Sequence, residues 1–267
     1  MRSILMAGLG AVFVMAAGLS ATAAPAASAE AMAPQAVPPA ADLAGTAMTD
    51  SRRPEADRAR DDLRQTRAML EFTGLRPGMA VADIRPEEGF FTRLFSVMVG
   101  EQGRAYAFVP NQTAARENAF GDALAADYPN VVRLTGKLEE MAFDRPLDVV
   151  FMGEEYHDFV IPRFGVDVAA MNAAVFAALK PGGLYVILDH QAADGAGISV
   201  AGTLHRIEAA ELRRQVEAAG FIYDGETTAV RVPADDHSLS VFDAGIRGRT
   251  DRFVYRFRKP AADRRSV

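Results

Sequence analysis

The chain has 267 residues, 49% of them hydrophobic, which supplies one core of ordinary size and too little for two large domains. It contains no cysteine, so disulfides, thiolate metal ligands and cysteine nucleophiles are excluded. A formal charge of −6 offers no broad basic surface to neutralise phosphates, which argues against nucleic acid and towards a small-molecule partner.

Residues 1–29 carry a positive Arg2, an apolar run from Ile4 to Leu19, and small-residue sites at Ala21-Thr22-Ala23 and Ala27-Ser28-Ala29. This is the pattern of a cleaved secretory signal, with the mature chain starting at Ala24 or Glu30 and an exported, periplasmic protein as the expectation. The run is short for a span and its glycines and alanines weaken it, so no stable membrane insertion is expected after cleavage. Residues 30–51 are rich in alanine and proline and read as a flexible linker. The folded domain is expected over 52–260, with 261–267 as a tail.

Charged residues punctuate a predicted helix from Pro54 to Phe72, ended by Gly74, and Arg76-Pro77-Gly78-Met79 turns the chain into a first strand, Val81-Ala82-Asp83-Ile84. After Gly89, the apolar positions Phe91, Leu94, Phe95 and Met98 predict an amphipathic helix. A second strand fits Arg104 to Val109, a helix Thr113 to Asp127, and a third strand Val131 to Leu134. Leu147 to Met152 is the kind of apolar run that a parallel sheet buries on both faces. A helix marked by Val168, Met171, Val175 and Leu179 stops at Lys180-Pro181-Gly182-Gly183, and strand five follows from Leu184 to Asp189. Ala209, Leu212, Val216 and Ala219 form one helical face closing at Gly220. Two final strands, Phe221 to Arg231 and Asp251 to Arg258, have no helix between them and should pair antiparallel across a loop of roughly twenty residues. In the last strand Phe253, Tyr255 and Phe257 share a core face, and Arg252, Val254, Arg256 and Arg258 share a face expected to be solvated or at an edge. The whole predicts an α/β fold: a doubly wound, mostly parallel sheet of about seven strands with a C-terminal antiparallel pair.

A strand closing in an acid, a glycine turn, "LKPGG" before strand five and a terminal antiparallel pair together resemble the class I S-adenosylmethionine (SAM) dependent methyltransferases. The resemblance covers roughly Asp61 to Pro260. More narrowly, "LRPGMAVADI", "YHDF", "LDHQAADG", "GTLHRIEAAELRRQVEAAGF", "PADDH" and "TDRFVYRFRKP" resemble an exported family of predicted methyltransferases. The resemblance implies SAM as cofactor and methyl transfer to a small-molecule acceptor. It implies that Asp83 lies near the cofactor's amino-acid end and that Gly89 is the last of the loop glycines. Arg85 and Glu87 stand where other glycines usually are, with Glu88 beside them. At the end of the second strand an acid usually grips the adenosyl ribose. Val109 stands there and has no hydrogen-bonding side chain, so the donor site is degenerate. The carboxylates of Glu87 and Glu88 disfavour a pyrophosphate and hence a dinucleotide.

Three of the four histidines follow strand ends on one expected side of the sheet: His157 after strand four, His190 after strand five and His205 before the next helix. Ligands of open α/β sheets bind beyond these ends. Asp158 and Asp189 adjoin two of the histidines and Arg206 the third, a set able to serve as a general base with an anion anchor. The alternative for each is a satisfied loop histidine, a capping aspartate or a residue at a helix start. The wide spacing holds no short metal-ligand motif, and no metal is assigned. Asp235-Asp236-His237 is either a flap over the site or a solvated turn. Two other classes stay open: a non-catalytic binding protein with this fold, and a metal-assisted hydrolase.

Overall fold

The computed structural model describes residues 42–261; the signal sequence expected over 1–29, the linker before residue 42 and most of the tail lie outside the described residues. Three short helices come first, α1 (Leu43–Met48), α2 (Glu55–Arg58) and α3 (Thr66–Thr73). Then follow β1 (Ala80–Ile84), α4 (Phe90–Val99), β2 (Arg104–Pro110), α5 (Ala114–Asp127), β3 (Val131–Gly136), β4 (Leu147–Gly153), α6 (Tyr156–Phe159), α7 (Val168–Ala178), β5 (Leu179–His190), α8 (Ala201–Leu204), α9 (Ala209–Ala218), β6 (Ile222–Thr227) and β7 (Arg252–Arg258).

The strands form one sheet in the order β3-β2-β1-β4-β5-β7-β6. The first five run parallel, and β7 pairs antiparallel with both β5 and β6. Strand order reverses between β1 and β4, so a crevice opens where their carboxyl ends diverge. Strand alternation sends Ala80, Ala82 and Ile84 of β1 into a core shared with Met171 and Val175 of α7 and Leu212 and Val216 of α9. Val81 points the other way, into a core with Leu94 and Phe95 of α4 and Met69 and Leu70 of α3. Both faces are therefore apolar, which is why the central strands read as continuous hydrophobic runs rather than as alternating ones.

Three expectations need correction. The folded part starts before Arg52: α1 lies inside the supposed linker, capped by the Asp42 carboxylate on the Gly45 N–H, with Ala44 and Ala47 buried against α3 and α4. Its small side chains are what permits the close approach, so composition alone misreads it as unstructured. The single helix from Pro54 to Phe72 is two helices, broken before α3 where Gln65 takes a φ of 49°. The intervening chain wraps Arg53, which is buried and pairs with both oxygens of Asp61 at 2.8 and 2.7 Å. The arginine-bearing face of β7 is not an edge. Val254 enters the second core, Arg252 donates to Leu63 O at 2.9 Å, and Arg256 donates to Phe72 O at 3.1 Å. The sheet ends at β6 on this side and at β3 on the other.

Gly89 starts α4 with a φ of 82°, and a Cβ there would lie 2.3 Å from Leu124 Cδ1 of α5. Both the backbone and the packing require glycine. Gly89→Ala should lose about 1–3 kcal/mol of stability, read from chemical denaturation; an unchanged midpoint would contradict this packing.

Candidate active site

The turn after β1 has the backbone of a glycine loop without the glycines. Arg85 and Glu87 adopt φ of 54° and 50°, in the left-handed region that non-glycine residues enter at a cost of order 1–3 kcal/mol each. Arg85 gains in return an ionic cluster. Its Nη1 donates to Asp158 Oδ2 at 2.9 Å and to Glu155, and its Nε lies 3.5 Å from Glu117 Oε1 of α5. One guanidinium thus serves three carboxylates. Burial pushes the Glu155 carboxyl well above its ordinary range, Arg85 opposes this, and Glu87, Asp158 and Asp189 add to the rise. Burial lowers Arg85, but Glu155 and Asp158 outweigh it and the group stays charged.

The histidines meet as the strand ends imply. His157 lies on α6, directly after β4, with its ring centroid 5.8 Å from that of His190 and 5.4 Å from that of His205. Asp189, the fully buried penultimate residue of β5, organises two of them. It faces His157 Nδ1 at 2.6 Å and accepts from the backbone N–H groups of His157 at 2.8 Å and His190 at 2.7 Å. His205 arrives by a return of the chain. Residues after β5 loop through α8, and Ile207 pairs with the strand end, its N–H donating to His190 O at 3.0 Å while its own carbonyl accepts from Ala192 N. His205 then reaches Asp158 Oδ1 from Nδ1 at 3.0 Å.

The three histidines and Asp158 line a cavity of about 470 Å³ at the carboxyl ends of β1, β4 and β5, together with Arg64, Glu154, Phe242, Arg247, Thr250 and Arg252. Burial would lower His157, but Asp189 outweighs it and raises the imidazole above its usual range. Burial lowers His205, with Asp158 opposing, and lowers His190 to about 4. Burial would raise Glu154, yet the His190 ring beside it and the guanidinium charges of Arg64 and Arg252 hold it at about 2.

His157, Asp158, His190 and His205 are therefore brought together, as are Asp83, Arg85 and Glu88 on the same cavity wall. Arg206 is not among them. It is fully buried and donates to Leu239 O, Gln191 O and Asp235, fastening the long loop before β7 to the end of β5, so it cannot anchor a ligand. Of Asp235-Asp236-His237, Asp236 is exposed and accepts from Ser238 in a solvated turn, but Asp235 is buried and, besides Arg206, accepts the Asp251 N–H at 2.7 Å. Val109 is fully buried, outside the cavity lining, paired in register with Thr135. An aspartate there would bury an unpaired carboxylate rather than rebuild a ribose contact. Gly89 shapes the turn by packing on Leu124 and does not line the cavity. Among the cavity groups that sequence reasoning missed are Arg64, Glu154, Glu155, Phe242, Arg247, Thr250 and Arg252. Adjacency to β4 could have pointed to Glu154 and Glu155, but nothing local marks the others.

The residues present do not make the usual grip on SAM. The end of β2 offers no side-chain acceptor, and the ion pairs of Arg85 tie β1 to α5 and α6 across the crevice.

Asp83 lies 4% exposed, its Oδ2 accepting from Thr92 Oγ1 at 2.6 Å, and burial raises its carboxyl to about 7. A raised acid favours the fold when protonated, so its burial costs nothing below about pH 4, a growing amount up to about pH 7, and a constant amount above. Asp83→Asn, which keeps an acceptor for Thr92, should be more stable than the parent at pH 8 and equal to it at pH 3.5 in urea denaturation. Arg206→Ala should lose about 3–5 kcal/mol, because it strands a buried carboxylate. A ligand anchor would leave stability intact, and that result would reverse the assignment.

No protein-family model matches this sequence, and no curated protein sequence matches it. Solved structures do. A SAM-dependent methyltransferase from Aquifex aeolicus superposes with a TM-score of 0.54 at 19% identity, covering 75% of this chain and 93% of its own. The YcgJ protein of Bacillus subtilis gives 0.52 at 16%, covering 75% and 99%. A [4+2]-cyclase, SpnF, gives 0.54 at 16%, covering 78% and 82%. At these identities the likeness speaks to architecture: the chain has the class I SAM-dependent methyltransferase fold.

Proposed function

We propose that this chain is a methyltransferase-type enzyme acting on a small polar molecule in the cleft beyond β1, β4 and β5, with a degenerate donor site. The observation that carries this reading is the convergence of His157, His190 and His205 on one cavity. His190 is the residue we assign to proton removal from the acceptor. Its Nδ1 lies 2.9 Å from Thr250 Oγ1, and burial keeps the ring neutral at physiological pH, so it meets an acceptor hydroxyl or amine as a base. Arg64, only 3.8 Å from its nearest carboxylate oxygen on Glu154, and Arg247 lie on the same wall and suit an anionic group on that molecule. The pattern of residues 1–29 supports a periplasmic setting, and among the described residues no helix is long and apolar enough to cross a membrane. A second reading, a binding protein that keeps the fold without catalysis, is favoured by the Arg85 cluster across the crevice.

Calorimetric titration with SAM and S-adenosylhomocysteine separates the readings. Each lost polar partner costs about 1–3 kcal/mol, or roughly 5- to 150-fold in affinity, so binding should be weaker than low micromolar. A low-micromolar dissociation constant would overturn the degenerate donor site. With millimolar SAM and a panel of small carboxylated alcohols and amines, release of S-adenosylhomocysteine should fall about 100-fold or more in His190→Ala. Unchanged release would remove His190 from catalysis, and no release with any acceptor would favour the binding protein.

A further inference from the structure

The lone-pair atoms of His157, Asp158 and His205 converge on one point. His157 Nε2 lies 3.4 Å from Asp158 Oδ1, His205 Nδ1 lies 3.0 Å from the same oxygen, and the three ligand atoms all fall within 4.8 Å of one another. Atoms that bind one ion at about 2.0–2.2 Å stand roughly 3–3.5 Å apart, so two edges of a coordination polyhedron are already the right length. The orientation of His157 is fixed from behind. Asp189 faces Nδ1 at 2.6 Å and takes the backbone N–H at 2.8 Å, which turns Nε2 towards Asp158, where the neutral ring would offer its lone pair to an ion. A carboxylate holding the far nitrogen of an imidazole is the usual outer support of a metal-bound histidine. Asp158 is held in the same way: Arg85 occupies Oδ2 at 2.9 Å, so Oδ1 alone turns to the two imidazoles. His205 sits at a φ of 54°, in the left-handed region that histidine enters more readily than most side chains, and from there its ring reaches the cluster.

We propose that His157 Nε2, Asp158 Oδ1 and His205 Nδ1 form a binding site for a divalent first-row transition ion. All three residues line the cavity, so the remaining coordination positions open towards whatever occupies it. Two imidazoles and one carboxylate suit Zn²⁺, Co²⁺ or Fe²⁺, whereas Mg²⁺ and Ca²⁺ take oxygen ligands. The sequence brings these residues into one candidate set but shows no metal-ligand spacing, because 47 residues separate Asp158 from His205 and only the return of the chain beside β5 joins them. The site does not depend on methyl transfer: an enzyme of another class or a binding protein with this fold would carry it equally.

The test uses the untagged full chain, stripped with chelator and titrated with Co²⁺ and Zn²⁺. One equivalent of Co²⁺ should bind with visible bands of a nitrogen- and oxygen-ligated ion, and Zn²⁺ should displace it and raise the melting temperature. His205→Asn, chosen because asparagine tolerates the left-handed backbone, should weaken Co²⁺ binding at least about 100-fold, since loss of a ligand exceeds the 10- to 100-fold loss when an orienting partner goes. His237→Asn, at a histidine bonded to Asp251 outside the cluster, should bind as the parent does. Asp158→Asn gives a second reading if His205→Asn loses its circular dichroism spectrum. Co²⁺ spectra of the aquo ion alone, or full-affinity binding by a folded His205→Asn or Asp158→Asn, would overturn the site.

Discussion

Arg85 is the cation on which the ligand side of this molecule is built. Its guanidinium joins the end of β1 to α5 through Glu117 and to the segment after β4 through Glu155 and Asp158. Ion pairs so poorly hydrated add little net stability compared with apolar packing, yet breaking one leaves a buried charge without a partner. Their effect is to fix one arrangement. The left-handed turn at residues 85–89, the position of α6 and the direction of the Asp158 carboxylate are set together, and the histidines are placed around that carboxylate.

The same cluster separates fold from function. The sheet order, the switch between β1 and β4 and the antiparallel β7 are those of the methyltransferase fold, yet one solved structure that shares the architecture is described as a cyclase. A fold fixes where a crevice lies, and side chains decide its chemistry. Here the turn after β1 is taken up by the chain's own salt bridges, while the end of β5 carries an imidazole on the cavity and a deeply buried aspartate behind it.

Much of this was legible in the residues. Apolar runs such as Leu147 to Met152 gave the buried strands, the glycines at 74, 89 and 220 gave helix boundaries, and histidines after strand ends gave the side of the sheet on which to look. What stayed hidden depended on contacts distant in sequence. Arg206 reads as an anion anchor because arginine beside histidine often is one, and only its burial against Asp235 shows it to be a fastening. Ala44 and Ala47 read as linker because alanine carries no periodic signal. The charged segment after Pro54 reads as one helix because nothing local reveals that Arg53 turns inward. Arg247, Phe242 and Thr250 belong to a long connection whose path no pattern predicts.

That connection, residues 228–251, is secured near both ends. Asp251 accepts from Arg231 through both oxygens and from Val232 N, and Asp235 accepts from Arg206 and from Asp251 N, while Phe242 between them stands 58% exposed at the cavity rim. A wall ordered during folding asks little further ordering of an arriving molecule, so the entropy of fixing that segment is lost once, in the free protein, rather than at every binding event. Association with such a cleft is governed by diffusion and desolvation rather than by loop closure, and selectivity falls to the shape of the rim at Phe242 and the charges behind it.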